Sequence, residues 1–530
     1  MISETKLSHN KFLLSTIIVL AFAASLATCY FATPSVFGGR DQGAIATAAI
    51  ELSKNKSFTF SASASAELFQ KYGPGKALNY PGFDYTKDGK LITRFPKAYV
   101  AYLAAFYAAL GLKGLQYANF LPLTLFLILF WLTLRRFFPE RISFLGFLIA
   151  ATFFPFLWFA KYTLTEIFML FLVWTGIYFL ILFRRCPTPT SAKGVRHLQI
   201  SLVFFALSAL TRIEGIVFFL IAAGYIYILN RKKIISLPKT FLKNLLIIVI
   251  IFAALYFYLD FPALFDSAKN IAKAFLPNSA KDSSPSASLY SHLAKIFASY
   301  NILVYLILGL FGIGWLAKNI KTKWLKPELI PALITFPAFF YLISPMISLD
   351  DPWMLRRFVF AVFPVLIFYT IYLLNRFFYH KIFLYITLIA LVASNSVITW
   401  RFLTLSENKE LLPQIETISK KFGPNDLILV DRLATGSGFS LMSEPLRTVF
   451  GKNAVYFFNA DDLKFLDRTK YKNIYLAVPA EDQKNWYSDI EKVPAGFSVI
   501  TNNFLEPSEK KFGLAVNTEY KGAVVFWKVK

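Results

Sequence analysis

Long apolar stretches recur along most of this chain, and each approaches the length that a helix needs to cross a bilayer. Hydrophobic residues make up 56% of the 530 residues and charged residues only 16%, which is more apolar surface than a globular core can bury. We therefore expect a polytopic integral membrane protein with about eleven transmembrane helices. The spans are predicted near residues 12–32, 115–134, 142–158, 165–183, 198–211, 214–230, 241–258, 298–316, 329–345, 356–374 and 381–400.

The net charge of +25 is concentrated in the apolar part of the chain. Residues 401–530 carry 18 basic and 16 acidic residues, which leaves 38 basic and 15 acidic residues in the rest. This distribution indicates positive-inside topology and excludes a nucleic-acid-binding patch. The basic residues cluster in short connectors: Arg135, Arg136 and Arg141; Arg184, Arg185, Lys193 and Arg196; Arg231, Lys232, Lys233, Lys239 and Lys243; Lys318, Lys321, Lys323 and Lys326; Arg376 and Lys381.

The same connectors predict the sidedness of the chain. If they are cytoplasmic, the N-terminus is cytoplasmic, whereas the loop 33–95, the polar stretch 259–297 and the tail face the outside. This arrangement requires the short apolar segment Ala98 to Leu110 to be an interfacial helix rather than a span. Because the number of spans is odd, the two termini lie on opposite sides.

The composition changes after residue 404, and we predict two domains, 1–404 in the membrane and 405–530 outside it. In the tail, buried strands are predicted at Leu427 to Val430, Ala454 to Phe458 and Asn473 to Val478. A last strand at Gly522 to Val529 is expected to be antiparallel. Helices are predicted at Glu407 to Lys421 and Asp461 to Thr469. The fold class is therefore a helical membrane module followed by a small soluble α/β domain.

Two carboxylates stand at predicted outer membrane edges, where an ionisable group is costly without a role or a partner. Asp41 follows Gly38 and Gly39, and glycines there would let backbone approach a ligand, so Asp41 is suited to act as a general base. The alternative is an idle loop aspartate. Glu166 begins a span after Lys161 and is a catalytic or orienting candidate, although it also fits a helix-capping role.

Three arginines occupy predicted outer turns, against the positive-inside trend. Arg212 lies in a tight turn between two spans, where it needs an anionic partner, either Glu214 or a phosphate group. Arg356 and Arg357 enter the tenth predicted span. They are candidate phosphate ligands, with the alternative that the two preceding residues, Asp350 and Asp351, pair with them.

In their order along the chain these motifs resemble the membrane-embedded GT-C superfamily of glycosyltransferases, which includes protein O-mannosyltransferases and the aminoarabinose transferases of lipid A. Gly39 to Gly43 resembles the acidic motif that opens the first outer loop, and Tyr162 to Glu166 resembles the second acidic position. Leu210 to Gly215 resembles a Thr-Arg-Pro-Glu-Gly turn. Arg94 to Val100 resembles the proline-containing juxtamembrane helix, and Leu355 to Phe358 resembles the late Arg-Tyr motif.

Two departures from the family pattern matter for function. Gln42 follows Asp41 where the mannosyltransferases have a second acid, which leaves the type of acceptor open. At the second acidic position the chain lacks the Asp-X-Asp metal pair of oligosaccharyltransferases, so no cofactor is predicted to be required and no metal ligands are assigned. Only two cysteines are present, which excludes a disulfide framework.

The resemblance implies a hexosyl or pentosyl transferase of the cell envelope, in a prokaryotic plasma membrane. Its donor would be a polyprenyl-phosphate sugar, and its acceptor a hydroxyl of a glycan, lipid or protein. Asp41 would be the base, and Glu166 would orient the acceptor or fix a cation. The residues implied in binding the donor phosphate are Arg212, Arg356, Arg357 and Lys161. A lipid-linked glycan polymerase, ligase or flippase of another fold is the alternative.

Overall fold

The computed structural model describes residues 4–186, 188, 191–235, 237, 241, 243, 245–260, 287–318, 326–344, 350–480, 487–510 and 512–530. Three predicted segments lie partly outside these residues. They are the span 241–258, the outer stretch 259–297 and the loop 348–355. The described residues form a mainly helical module up to Leu403, called the membrane module below, and a tail domain built around a β-sheet.

The membrane module carries the apolar helices. Within the described part of the chain, five helices are long and apolar enough to span a bilayer, and the count rises to eight if each of three bent helix pairs is one span. The five are Lys11–Tyr30, Leu112–Leu134, Thr165–Arg184, Ile213–Arg231 and Lys381–Leu403. The bent pairs are Glu140–Ala151 with Phe154–Ala160, Tyr290–Ser299 with Leu303–Lys318, and Trp353–Val359 with Val362–Phe377.

Three of the predicted spans, 142–158, 298–316 and 356–374, coincide with the bent helix pairs. Pro155 and Pro364 stand in the first turn after two of the breaks. Proline cannot donate the helical hydrogen bond, so a new helix starts at that point. The three remaining predicted spans coincide with helices that are too short or too polar for the same test: Ala192–Ala209, Leu245–Asp260 and Pro327–Leu342.

The predicted outer loop 33–95 is a folded segment. It begins with the helix Asp41–Asn55 and continues through the helix Ser65–Tyr72 into the helix Lys97–Leu110, which coincides with the predicted interfacial helix. Four short antiparallel strands complete it. In sheet order these are Thr59–Phe60, Leu91–Thr93, Phe83–Tyr85 and Gly75–Lys76.

The tail domain confirms the predicted small α/β fold. The three predicted buried strands are parallel neighbours, and the last predicted strand is antiparallel and longer than expected. The edge strand Lys492–Glu506 was not predicted. In sheet order the strands are Lys492–Glu506, Val516–Val529, Ile474–Pro479, Leu427–Asp431 and Asn453–Phe457.

The predicted tail helices are shorter than expected. The first is Leu411–Ser419, and the second is replaced by two 3-10 turns, Ala460–Phe465 and Arg468–Lys470. The side chains of Asn459 and Asp467 accept hydrogen bonds from nearby backbone N–H groups. Such local bonds compete with the helical ladder, which explains the interruption.

Candidate active site

Glu166 and Arg212 form the buried centre of the candidate site. Glu166 lies in the first turn of the helix Thr165–Arg184 and is 1% exposed. Arg212 immediately precedes the helix Ile213–Arg231, and its Nη1 donates to Glu166 Oε1 over 2.9 Å and to Thr165 Oγ1 over 3.0 Å. The tight turn depends on Gly215, because a Cβ there would lie 2.3 Å from the carbonyl of Ser208.

A second carboxylate holds Arg212 from the other side. Glu214 accepts hydrogen bonds from Arg212 Nη2 over 2.8 Å and from Nε over 3.2 Å, and Tyr341 donates to Glu214 over 2.6 Å. Burial alone would lower the pKa of Arg212, but Glu214 and Glu166 outweigh that effect and raise it. The structure therefore matches the ion-pair alternative for Arg212, whose donors are mostly engaged by the protein itself.

Arg356 connects this centre to Asp41. Its Nη2 donates to Asp41 Oδ2 over 2.5 Å, and its Nε lies 3.8 Å from Glu166 Oε1. The Arg356 side chain is 7% exposed, whereas that of Asp41 is 42% exposed. The carboxylate of Asp41 thus stands at the open edge of the cluster, in the first turn of the helix Asp41–Asn55, where the helix dipole favours a negative charge.

Several hydrogen-bonding atoms of the cluster have no partner among the described residues. They are Nε and Nη1 of Arg356, Nε of Arg357 and Oε2 of Glu166, and all four atoms are buried. The guanidinium of Arg357 lies over the Tyr341 ring, 5.6 Å from its centroid. Buried donors without a partner are costly in a folded protein, so these arginine atoms mark a place where an anion would be stabilised.

Two aromatic rings hold the neighbouring Arg40 in place. Its guanidinium lies 4.5 Å from the centroid of Trp353 and 4.2 Å from that of Phe439, which belongs to the tail domain. Trp353 also carries the guanidinium of Arg356 at 4.5 Å. Arg40, Trp353 and Tyr341 were not predicted as site residues, although Arg40 stands next to Asp41 in the sequence.

The glycines before Asp41 have a different role from the one predicted. Gly38 and Gly39 pair as an antiparallel strand with Leu441 and Ser440 of the tail domain. Gly39 has a φ of +90°, and a Cβ there would lie 2.7 Å from the carbonyl oxygen of a tail residue. The absence of a side chain therefore lets the tail backbone approach Gly39 and makes room for the side chain of Glu444 beside Gly38.

Lys161 was expected to bind the donor phosphate, but the structure gives it a different role. Its ammonium donates to the carbonyl oxygens of Phe402, Leu403 and Leu405, over 2.8, 2.6 and 2.6 Å. Three short bonds use all three of its protons, and the side chain is buried. Lys161 thus ties the loop before Glu166 to the end of the last membrane helix and has no donor left for a phosphate.

Asp350, one of the two aspartates before the late arginines, has a more distant arginine as a partner. Asp350 accepts from Arg40 Nη2 over 3.3 Å. Asp351 is 6% exposed, and burial raises its pKa to about 6. Arg356 instead reaches the distant Asp41, so the outer-edge arginines are bound into the cluster by long-range contacts.

Among the residues that the structure describes, no group of three or more His, Cys, Asp or Glu side chains is placed to hold a metal ion. The expectation that no metal is required remains a prediction. The cluster itself contains three arginines and three carboxylates at the boundary between the membrane module and the tail. Such an arrangement can bind an anionic group and accept a proton.

The fold is shared with known membrane enzymes. ArnT from Cupriavidus metallidurans, an aminoarabinose transferase, superposes with a TM-score of 0.58 at 12% identity over 98% of both chains in its apo state. Its structure bound to undecaprenyl phosphate gives a TM-score of 0.57 at 12% identity over 97% of this chain and 98% of that chain.

A second similar structure is the oligosaccharyltransferase AglB from Archaeoglobus fulgidus, in complex with an inhibitory peptide and a dolichol-phosphate. It has a TM-score of 0.50 at 12% identity over 89% of this chain and 70% of AglB. No family model and no curated protein sequence matches the chain. Both similar proteins belong to the GT-C superfamily, so the expected GT-C-like membrane fold is confirmed.

Proposed function

We propose that this protein is a glycosyltransferase that moves a sugar from a polyprenyl-phosphate donor to a hydroxyl group of an acceptor. The proposal is supported chiefly by one observation. Asp41, Arg356, Glu166 and Arg212, which are far apart in sequence, meet at the edge of the membrane module with buried arginine donors still unpaired. The structures of ArnT with undecaprenyl phosphate and of AglB with a dolichol-phosphate add support for a lipid-phosphate ligand.

In the proposed reaction, Asp41 takes the proton from the acceptor hydroxyl. The acceptor oxygen then bonds to the anomeric carbon of the donor sugar, and the bond between that carbon and the phosphate oxygen breaks. The lipid phosphate leaves as an anion, so no general acid is needed, in contrast to glycosidases. Asp41 suits this role because its side chain is the most exposed carboxylate of the cluster.

The departing phosphate is stabilised in this scheme by Arg356 and Arg357. Their unpaired nitrogens are buried, and a charge-assisted hydrogen bond is stronger away from water. A phosphate that engages Arg356 also competes with Asp41 for the guanidinium, which leaves the carboxylate available to the acceptor. Glu166 and Arg212 act as positioning residues, because Glu166 contacts both Arg212 and Arg356.

The sidedness remains part of the proposal. We place the N-terminus in the cytoplasm and the tail domain outside a prokaryotic plasma membrane, because the basic connectors are predicted to face the cytoplasm. A phosphatase reporter fused after Arg401 tests this placement. We expect the phosphatase reporter to be active, because it would lie outside the cytoplasm. An inactive reporter would mean that the tail domain is cytoplasmic and would reverse the placement.

The substitution Asp41→Asn tests the proposed base. Purified protein in nanodiscs is incubated with a radiolabelled polyprenyl-phosphate sugar and a cell-envelope extract as the source of acceptors. We expect transfer to fall roughly 1000-fold, because general bases contribute about 10²–10⁴ in rate. The matched control is Asp84→Asn in the same outer segment, where Asp84 pairs with Arg94 away from the cluster. Full transfer by the Asp41 variant would exclude it as the base.

A further inference from the structure

A short buried segment, residues 161–164, connects the helices Phe154–Ala160 and Thr165–Arg184 beside the proposed base. We call it the site connector. Its four residues are at most 7% exposed, although loops usually lie on the surface of a protein. The proposed reaction uses none of these four side chains, so their burial calls for another explanation.

The site connector is held by both modules. Lys161 bonds to three carbonyl groups at the end of the last membrane helix, and Tyr162 donates to Glu407 Oε2 of the tail domain over 2.9 Å. From within the membrane module, Asn119 Nδ2 donates to the carbonyl oxygen of Tyr162 over 2.6 Å. The backbone is therefore fixed where the chain reaches Thr163.

Thr163 extends from this fixed backbone to the helix that carries Asp41. Its Oγ1 donates to the carbonyl oxygen of Gln42 over 2.8 Å, and Thr163 is 2% exposed. Gln42 is the second residue of the helix Asp41–Asn55, which we call the base helix. Threonine is branched at Cβ and has few rotamers, so its hydroxyl holds a carbonyl group at a defined place. Because Glu166 follows three residues later, the bond ties Asp41 to the segment that carries the buried carboxylate.

The first turn of the base helix has few other side-chain contacts that fix it. Its N-cap, Arg40, makes no side-chain capping bond. Among the described residues, two side chains of other elements donate hydrogen bonds to this turn. One is Thr163, and the other is Arg356, which binds the carboxylate of Asp41. In the proposed reaction the donor phosphate competes for Arg356, so the bond from Thr163 is the one that remains when Asp41 meets the acceptor.

We infer that Thr163 is a positioning residue, which keeps Asp41 in place after Arg356 has engaged the donor phosphate. This inference rests on the proposed function, since it assigns a role toward the proposed base. Thr163 acts through the backbone of Gln42 and touches neither substrate. A displacement of about 1 Å in a reacting group can cost on the order of 100-fold in rate. One buried hydroxyl can therefore control the rate without taking part in the chemistry.

Hydrogen exchange tests the inference without a sugar or an acceptor. Full-length protein in nanodiscs is measured with and without undecaprenyl phosphate, and the signal is taken from the peptide that contains Ile45 and Ala46. The helical partners of these two amides are the carbonyl groups of the first turn of the base helix. Their exchange therefore reports whether that turn stays formed.

The informative variant is Thr163→Val, which exchanges the hydroxyl for a methyl group of similar size. With the lipid bound, we expect these amides to exchange about tenfold faster in this variant than in the unmodified protein, because both side-chain bonds of the turn are then absent. Without the lipid the difference should be smaller, since Arg356 still holds Asp41. Equal exchange in the two lipid-bound proteins would overturn the inference.

Two further variants serve as controls for exchange and for transfer. Thr163→Ser keeps the hydroxyl and should behave like the unmodified protein. Ser201→Ala removes another buried bond between two elements, from Ser201 Oγ to the carbonyl oxygen of Gly176 over 2.8 Å. Gly176 lies roughly 16 Å along its helix from Thr165, so this variant should also leave the base helix unaffected. Faster exchange in Thr163→Ser, or the same increase in Ser201→Ala, would contradict a role for this hydroxyl.

Transfer activity separates positioning from a general loss of stability. In the assay described for Asp41→Asn, we expect Thr163→Val to lower kcat by about 10- to 100-fold and to leave the KM for the donor within about twofold. When it is combined with Asp41→Asn, Thr163→Val should cause no further loss beyond about twofold, because its effect is exerted through that carboxylate. The same loss in both backgrounds would identify a merely structural residue and overturn the inference.

The two proposals fail in different ways. Full transfer by Asp41→Asn would remove the proposed base and the inference together. A loss of transfer in Asp41→Asn, combined with normal exchange and normal transfer in Thr163→Val, would overturn the inference alone.

Discussion

Arginine side chains lie at both ends of the helix Thr165–Arg184, but they contact different groups. The end that begins at Thr165 is called the tail end below. At the tail end, Arg212 and Arg356 are held by carboxylates within a buried cluster. At the other end, about 30 Å away for a helix of 20 residues, Arg184 donates to a tyrosine hydroxyl over 3.1 Å. The adjacent Arg185 stacks on a phenylalanine ring and lies 3.6 Å from Glu328.

The difference lies in burial as well as in chemistry. The side chains of Arg212 and Arg356 are 9% and 7% exposed, whereas that of Arg185 is 37% exposed. Buried arginines with several carboxylate bonds have a fixed geometry, while exposed arginines on aromatic rings need only keep their charge at the interface. The comparison therefore distinguishes a buried cluster that can hold a reacting group from exposed arginines that set the orientation of the helix in the membrane.

The largest expected effect concerns stability. Glu214→Gln leaves Arg212 buried with a weaker partner, and we expect the free energy of unfolding to fall by about 3 kcal/mol. The corresponding change at the other end, Glu328→Gln, should cost less than about 1 kcal/mol, because its ion pair is longer and more exposed. Denaturant titrations of both purified variants measure the two costs, and equal costs would break the comparison.

A smaller effect on stability, one that depends on pH, is expected from a single carboxyl group, Asp351. Burial raises the pKa of Asp351 to about 6 from its ordinary 3.8, so the folded protein binds this proton more tightly than the unfolded chain does. Stability should therefore decrease as the pH rises from about 4 to about 6 and should show no further change from this group above that range.

Asp351→Asn isolates this contribution, which we expect to be on the order of 1–2 kcal/mol. Melting of the unmodified protein and of the variant is compared across the pH range from 4 to 7. The difference between the two proteins should change by that amount within the window. A difference that is constant with pH would mean that Asp351 is ionised throughout.

The sequence could predict which polar loops meet. Asp41, Glu166, Arg212 and Arg356 fall at membrane edges on one predicted side, and the structure brings all four together. The reason is physical, since an ionisable residue next to hydrocarbon needs a partner, and the partners available are those on the same side. Short apolar runs and turn residues likewise predicted three strands of the tail domain, which the structure shows to be parallel.

Apart from Glu214 as a candidate partner of Arg212, the partners themselves could not be predicted. The roles of Lys161 and of the two glycines before Asp41 depend on where the tail domain docks, and nothing local in the sequence records that contact. The pairing of Arg356 with Asp41 joins residues that are 315 positions apart, so no local pattern predicts it. The edge strand Lys492–Glu506 was missed because its exposed positions lack a clear apolar alternation.

The most direct test concerns the unpaired donors of Arg356. The affinity of the purified protein for undecaprenyl phosphate is measured relative to undecaprenol, so that the ratio isolates the phosphate group. We predict a preference for the phosphate that falls at least about tenfold in Arg356→Gln and is unchanged in Arg185→Gln at the other end. An unaltered preference in Arg356→Gln, or an equal loss in Arg185→Gln, would contradict the assignment of the buried cluster as the phosphate site.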